Sequence, residues 1–383
     1  MSLDKKLSAV FVILLSILNA NGQEEPFKLK LKSETALSAM MPAAALPSAF
    51  TNDAMVLTKI TTPSSVEVTL IDFQGKVKKV LDEIETSRPD RVFISSTPTR
   101  IIINYSEMDP KEKIARIYDL ESNQVFVLRH EGGRVAFPVA SSQNGKILYQ
   151  LRIDGEPAKI YMTNANGQNP QYIANGIGQF WLPDGKGYVW KPSNMNPIEA
   201  YKHGKVSKEE AQQELEKRRK GIQAPKIQYR LFHEDLNSPK LIPDLKNPNP
   251  QIVFSPQGQY LGILDNGILY CRSFSVSDGE IAFSEQKLID KADASYEIDR
   301  IFSWDPKGEK LAYTRLYLDG DGHGYVNGDI FIYDLATHKT VALTTTPNNY
   351  EENPIWIGSG DLIIHKKVNL RREGNVVKMS IQY

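Results

Sequence analysis

Short runs of alternating apolar and polar residues, each closed by a polar turn, follow one another along most of the chain. "ARIYDLESNQ" from Ala115 and "DIFIYDLATHK" from Asp329 share one form. Each is a strand ending in Asp and a polar turn, followed by a returning apolar strand, "VFVLR" from Val125 or "VALTTT" from Val341. "VTLIDFQGK" from Val68 and "KIYMTNANGQ" from Lys159 are weaker versions. A period of two, punctuated by turn residues at regular intervals, predicts an all-β fold of many short strands.

A second phrase recurs upstream of each such strand. Trp181-Leu-Pro-Asp-Gly185, Phe254-Ser-Pro-Gln-Gly258, Trp304-Asp-Pro-Lys-Gly308 and Trp356-Ile-Gly-Ser-Gly360 each set an aromatic residue four before a glycine. In the first three, Pro lies two before the Gly. Pro presets φ near −65° at a turn corner and Gly accepts positive φ, so the phrase predicts a tight turn between two strands. "SSQNGKILYQ" around Gly145 is a weaker copy. "STPTRIIIN" near Thr99 and "TNDAMVLTK" near Asp53 are weaker still. The turns then fall near positions 53, 99, 145, 185, 258, 308 and 360, at gaps of 46, 46, 40, 73, 50 and 52. Periods of 40–50 residues belong to four-stranded propeller blades, and the gap of 73 must hold an insertion of about 30 residues.

On these phrases the chain resembles the TolB-like branch of WD-repeat-like β-propellers. The carriers are "FSPQGQYLGI", "FSWDPKGEKLAY", "WLPDGKGYVW" and above all "GDIFIYDLATHKTVALTTTPNNYEENPIW". The last joins a third strand, a fourth strand, a spacer and the opening of the next unit. The resemblance covers about residues 135–366 and is faint before that. It implies a propeller fold and transfers no catalytic residue. The chain departs from TolB in lacking an N-terminal α/β domain of any size.

Counting units gives seven blades. Six is the alternative, since the first unit must draw its inner strand from "AALPSAF" near Phe50. The last unit offers three strands, "PIWIG", "DLIIHKKV" and "NVVKMSIQY". "PFKLKLK", from Pro26 to Lys32, alternates and has no unit of its own. It is expected to pair antiparallel, over residues 27–32, with the C-terminal strand near Val377–Ile381, which would close the ring and remove an exposed edge. The excess residues, 194–224, read as a helical hairpin between the second and third strands of the fourth blade. Asn196-Pro197 opens one helix and Gly204 stops it. Ser207 and Glu210 form a capping box, and Gly221 ends the second helix. Its apolar stripe is thin: Val206, Ala211, Leu215 and Ile222. The hairpin reads either as a solvated flap or as a docking element for a partner.

Composition narrows the picture. At 41% hydrophobic residues the chain can bury a sizeable core. Its balanced charge argues against a nucleic-acid partner. The lone Cys271 rules out an intrachain disulfide. Lys5 and Lys6, the apolar stretch Leu7–Leu18, and the small Ala20 and Gly22 read as a signal peptide over residues 1–22, leaving a propeller of residues 23–383 with net charge near −1. A membrane anchor is the alternative, but the stretch is short against the roughly 20 residues a span needs. The expected location is periplasmic or secreted, and the expected state a monomer.

Chemistry is sparse. "LDGDGHGYVNGD", from Leu318 to Asp329, sets Asp319, Asp321 and His323 between glycines. Asp319 and Asp321 are candidate calcium ligands, with Asn327 or Asp329 completing the shell, although the loop lacks the bidentate Glu of an EF-hand. No other cofactor is expected. The six histidines are scattered, and no zincin pair, nucleophile elbow, P-loop or dinucleotide fingerprint is present. Trp181, Trp304 and Trp356 share a repeat position, which points to packing between blades. Asn104-Tyr-Ser106 matches a glycosylation sequon but falls in a predicted strand. The expected function is a non-catalytic scaffold that binds a protein or glycan through its channel-face loops. The alternative is a metal-dependent propeller lyase or hydrolase with its site in the central channel.

Overall fold

The computed structural model describes residues 29–382 apart from 38–40, 43–46, 52, 109–111, 194–196, 220–227, 246–249, 322–323, 348 and 369–372. The proposed signal segment, Phe27, Asn196, Gly221, Ile222 and His323 lie outside the described residues. Among the described residues, antiparallel pairings divide the strands into seven successive meanders. The first runs Pro47–Phe50, Ala54–Thr62, Ser65–Asp72 and Val77–Glu85. The second runs Phe93–Thr97, Arg100–Ser106, Lys113–Asp119 and Gln124–Leu128, and the third opens with Arg134–Ala140, Ile147–Arg152 and Lys159–Thr163.

Between the third and fourth meanders the chain skips a loop. The strand Gln171–Trp181 pairs with Lys159–Thr163 through its first half and with Gly187–Pro192 through its second. Gly178, at φ +63°, lies at the break in register. One strand serving two meanders explains the shortest spacing in the sequence repeat. The fourth meander continues with Arg230–His233 and Lys240–Leu241, and the fifth uses Gln251–Phe254, Tyr260–Asp265, Ile268–Ser277 and Lys287–Lys291. The sixth contains Tyr296–Ile298, Ser303–Trp304, Lys310–Leu318, Tyr325–Asp334 and Lys339–Ala342. The seventh takes Asn349–Trp356, Leu362–Val368 and Glu373–Gln382.

The strand Lys30–Ala36 completes the seventh meander, with Leu31 opposite Ile381 and Ala36 opposite Val377. Pairing therefore starts in the stretch the alternation pointed to and runs on through Ser33-Glu34-Thr35-Ala36. Leu29 and Leu31 pack on the core, while Lys30 and Lys32 face solvent.

Middle strands are apolar on both faces because each meander is sandwiched between two others. In "RIIINYS", Ile101 and Ile103 belong to a cluster with Ile84 of the first meander, and Ile102 to one with Ile147 of the third. The cycle continues through Ile160 with Trp190, Val189 with Ile263, Leu269 with Leu311, and Ile332 with Ile364. It returns to its start where Ile363 of the seventh meander shares a cluster with Met55 of the first. Ile363 and Ile364 thus face opposite neighbours.

The repeat turns have one geometry. Gly145, Gly185, Gly258, Gly308 and Gly360 all have φ between +69° and +82°. The amides of Gly185, Gly258, Gly308 and Gly360 each donate to the carbonyl three residues back. Successive turns are laced together: Asn144 Nδ2 donates to the Gly185 carbonyl at 2.7 Å, and Gln257 Nε2 to that of Pro306 at 2.8 Å. Two of the repeat tryptophans do the same for the strands. Trp181 and Trp304 each donate an indole N–H, at 3.0 Å, to Val139 and Val253 of the preceding meander.

Two helices interrupt the fourth meander, α1 (Pro197–Lys202) and α2 (Lys208–Arg219). Ser207 and Glu210 exchange reciprocal hydrogen bonds at 2.7 and 3.1 Å, a complete capping box. No helix among the described residues is long and apolar enough to cross a membrane.

Candidate ligand site at the channel mouth

The first strands of neighbouring meanders touch one another, Pro47–Phe50 against Phe93–Thr97 and the latter against Arg134–Ala140, so they line the axis of the cycle. Strands alternate in direction, so all loops between second and third strands emerge on one face. This loop face carries Asp319, Asp321 and Gly324, the two helices and the segment Asp154–Ala158.

The first strand of the third meander is broken by a bulge between Ala136 and Val139. Phe137 sits there with φ +49° and is 37% exposed. A left-handed backbone is costly for a bulky side chain, and the proline at 138 restricts it further. Its surroundings hold it in place. Asn104, fully buried in the second meander, accepts the Phe137 N–H on Oδ1 at 3.2 Å. Gln179, from the fourth, donates Nε2 to the Phe137 carbonyl at 2.7 Å and accepts from Gln150 at 3.0 Å. Ser95 Oγ donates to the Pro138 carbonyl at 2.6 Å.

The seventh meander repeats the device. Asn353, at φ +57°, precedes Pro354 within a bulge between Glu352 and Ile355, and Ser303 Oγ donates to the Pro354 carbonyl at 2.8 Å. Asparagine tolerates this conformation through its short polar side chain. Phenylalanine has no such excuse, and strain of this kind gathers at functional sites.

The cations around Phe137 are distinctive. Lys113 Nζ stands 5.3 Å and the Arg152 guanidinium 5.2 Å from the ring centroid, and Phe93 meets the ring edge-on at 5.3 Å. Arg129 is paired with Glu107 and Glu112, and Arg134 with Asp154. The Lys113 ammonium has no ion pair or hydrogen bond among the described residues, and the Arg152 guanidinium has only a 3.4 Å contact with Gln150. Partial burial, then the charges of Arg152, Arg91 and Arg134, hold the Lys113 ammonium below the usual lysine range. Beside them opens a cleft of about 390 Å³, walled by Glu112–Ile114, Arg129–Arg134 and Arg152–Asp154. Its size suits a small molecule or one residue of a larger ligand.

The helices reach this face. Lys205 Nζ donates to the Gly155 carbonyl at 2.7 Å, and the His203 ring lies against Gly155, whose φ is +77°. The hairpin therefore rests on the loop next to the cleft.

The candidate calcium ligands are placed otherwise. Asp319 is half-buried, with its amide on the Gly324 carbonyl, while Asp321 is exposed. Asp329 is buried and committed to the Thr346 amide and Asn327 Nδ2, at 3.1 and 3.2 Å. No group of three His, Cys, Asp or Glu side chains among the described residues is arranged to hold a metal. The described histidines lie apart: His130 against Tyr161, His203 on Gly155, His233 on Asp184, His338 on Tyr333 and His365 on Glu352. Asn104 of the sequon has Nδ2 donated to the Ile114 and Val135 carbonyls at 2.7 and 3.1 Å, which leaves no room for a glycan.

Sequence reasoning missed Phe137 and its cations. One signal was available: "FPV" and "NPI" put a proline inside two first strands, where proline marks a bulge.

No family model and no curated protein matches the chain. Among solved structures, the β-propeller domain of the Trilobed protease from Pyrococcus furiosus aligns over 89% of this chain and 97% of its own, with TM-score 0.56 and 11% identity. The putative TolB from Agrobacterium tumefaciens aligns over 74% of this chain and 87% of its own, with TM-score 0.40 and 12% identity. The tricorn protease aligns over 84% of this chain with TM-score 0.40 and 10% identity, and the chain spans 28% of that protein. The fold is a β-propeller. The Pyrococcus domain is described as having an open velcro topology, whereas here Lys30–Ala36 pairs with Glu373–Gln382.

Proposed function

We propose that this chain is an exported, seven-bladed β-propeller that binds a protein or glycan partner on its loop face and does no covalent chemistry. The seven linked meanders support the blade count. The observation that carries the binding reading is Phe137. An exposed aromatic occupies a left-handed position at the channel mouth, held there by buried amides of two neighbouring meanders, where the matching position of the seventh meander uses Asn353. Folding alone would favour asparagine at both.

The test follows from that contrast. Phe137→Asn should leave the melting temperature unchanged or raise it. Wild type and variant would be cross-linked to the envelope and secreted fractions of the native source and their captured components compared. Loss of specific components with Phe137→Asn supports the reading; identical capture by both proteins rejects it.

A further inference from the structure

Resting on that reading of the Phe137 site, we propose that the site takes an oxyanion, a carboxylate or a sulfate or phosphate group, between Lys113 and Arg152. The chemistry is that of charge balance. Four cations, Lys113, Arg129, Arg134 and Arg152, border the cleft against three carboxylates, Glu112, Glu131 and Asp154. Two have carboxylate partners, at Glu107, Glu112 and Asp154. The remaining two are the pair that stands over the Phe137 ring, and no carboxylate reaches them among the described residues.

Lys113 is half-buried, so the missing counter-charge matters more there than on an open surface. A fold that needed only to stabilise itself would place a carboxylate between these groups or turn them to solvent. Here the aromatic ring keeps them at the edge of a cleft large enough to admit a ligand. An incoming oxyanion would supply the absent charge, with charge-assisted hydrogen bonds to the guanidinium and the ammonium. The ring of Phe137, and Phe93 beside it, would meet the carbon skeleton that bears the anion.

Lys113 itself reports occupancy. Its ammonium is held below the usual lysine range, so at mildly alkaline pH it should acylate faster than surface lysines. The full mature chain would be treated with limiting acetic anhydride in sodium chloride, sodium sulfate, sodium phosphate or oligogalacturonate, at equal ionic strength. Acetylation at each lysine would be read by peptide mass spectrometry. Sulfate, phosphate or oligogalacturonate should slow modification of Lys113 by about threefold or more as the site fills, with other lysines unchanged. Protection by the inorganic ions would assign a free oxyanion, and protection by oligogalacturonate alone an acidic saccharide.

Arg152→Gln should abolish the protection. Protection that persists in this variant, or Lys113 reactivity that is the same in all four salts, overturns the proposal. The outcome is separable from that of the partner experiment. Phe137→Asn that loses partner capture while no oxyanion protects Lys113 leaves the binding face standing and removes the anion. Protection of Lys113 with unchanged capture does the reverse.

Discussion

Asn104 shows how much a single buried amide can hold. Its side chain binds the Ile114 and Val135 carbonyls and the Phe137 amide, joining two meanders and fixing the bulge that presents the aromatic ring. Asn104→Ala removes the side chain that these three backbone groups share. Its cost is expected at about 1–3 kcal/mol in urea unfolding, with weaker ligand binding than that loss alone would give. Glu352 is the corresponding case for a charge. Burial raises its pKa, but hydrogen bonds from His365 at 2.8 Å and Lys367 at 2.6 Å outweigh that and leave it lowered. A depressed carboxylate contributes stability that is present above its unfolded pKa of 4.5 and fades as pH falls through the lower folded value. Melting curves between pH 7 and pH 3 should therefore fall more steeply for wild type than for Glu352→Gln. Parallel curves would show that the pair contributes nothing.

At the scale of elements, the strand Lys30–Ala36 is the piece whose removal is most informative. It brings Leu29 and Leu31 onto the core, and Glu34 reaches Lys366 at 2.8 Å. Deleting the chain through Ala36 should cost several kcal/mol, at about 1.5–3 kcal/mol for each large apolar side chain unburied. It should also expose Glu373–Gln382 as an open edge and promote self-association. A deletion variant that stays monomeric, with unchanged melting, would show the strand to be dispensable. The helices offer a gentler probe. A methyl group on Gly155 would stand 2.5 Å from the His203 ring. Gly155→Ala should therefore raise amide exchange in α1 and α2 while the meanders keep their protection.

At the scale of the whole molecule the questions are export and metal. Processing after Gly22 would leave Gln23 as the first residue of the exported protein, which N-terminal sequencing decides; an intact Met1 on membrane-bound protein would make the segment an anchor. A calcium-binding loop at Asp319 and Asp321 would make Asp321→Ala less stable than wild type in calcium and equal to it in chelator. Equal melting under both conditions removes calcium from the description.

How much was legible in the sequence depended on the range of the interactions. The strands, their repeat turns and the capping box could be read because each is set by neighbours along the chain. A period of two puts a face to the core, Pro and Gly fix a corner, and Ser207 needs only Glu210. Closure by the segment around Leu31 was legible for a related reason: a strand count left one place open, and alternation matched the segment to it. The two-sided burial of Ile101, Ile102 and Ile103 was visible only as an apolar run. The candidate site was not legible, because nothing local joins its parts. Asn104 and Lys113 come from the second meander, Phe137 and Arg152 from the third, and Gln179 from the fourth. Read singly they are a sequon, a charge at a strand start, a phenylalanine before proline, another charge and a polar residue in a strand. Only packing of three meanders around one axis brings the amides to the bulge and the cations to the ring, and leaves those two charges without a carboxylate partner among the described residues.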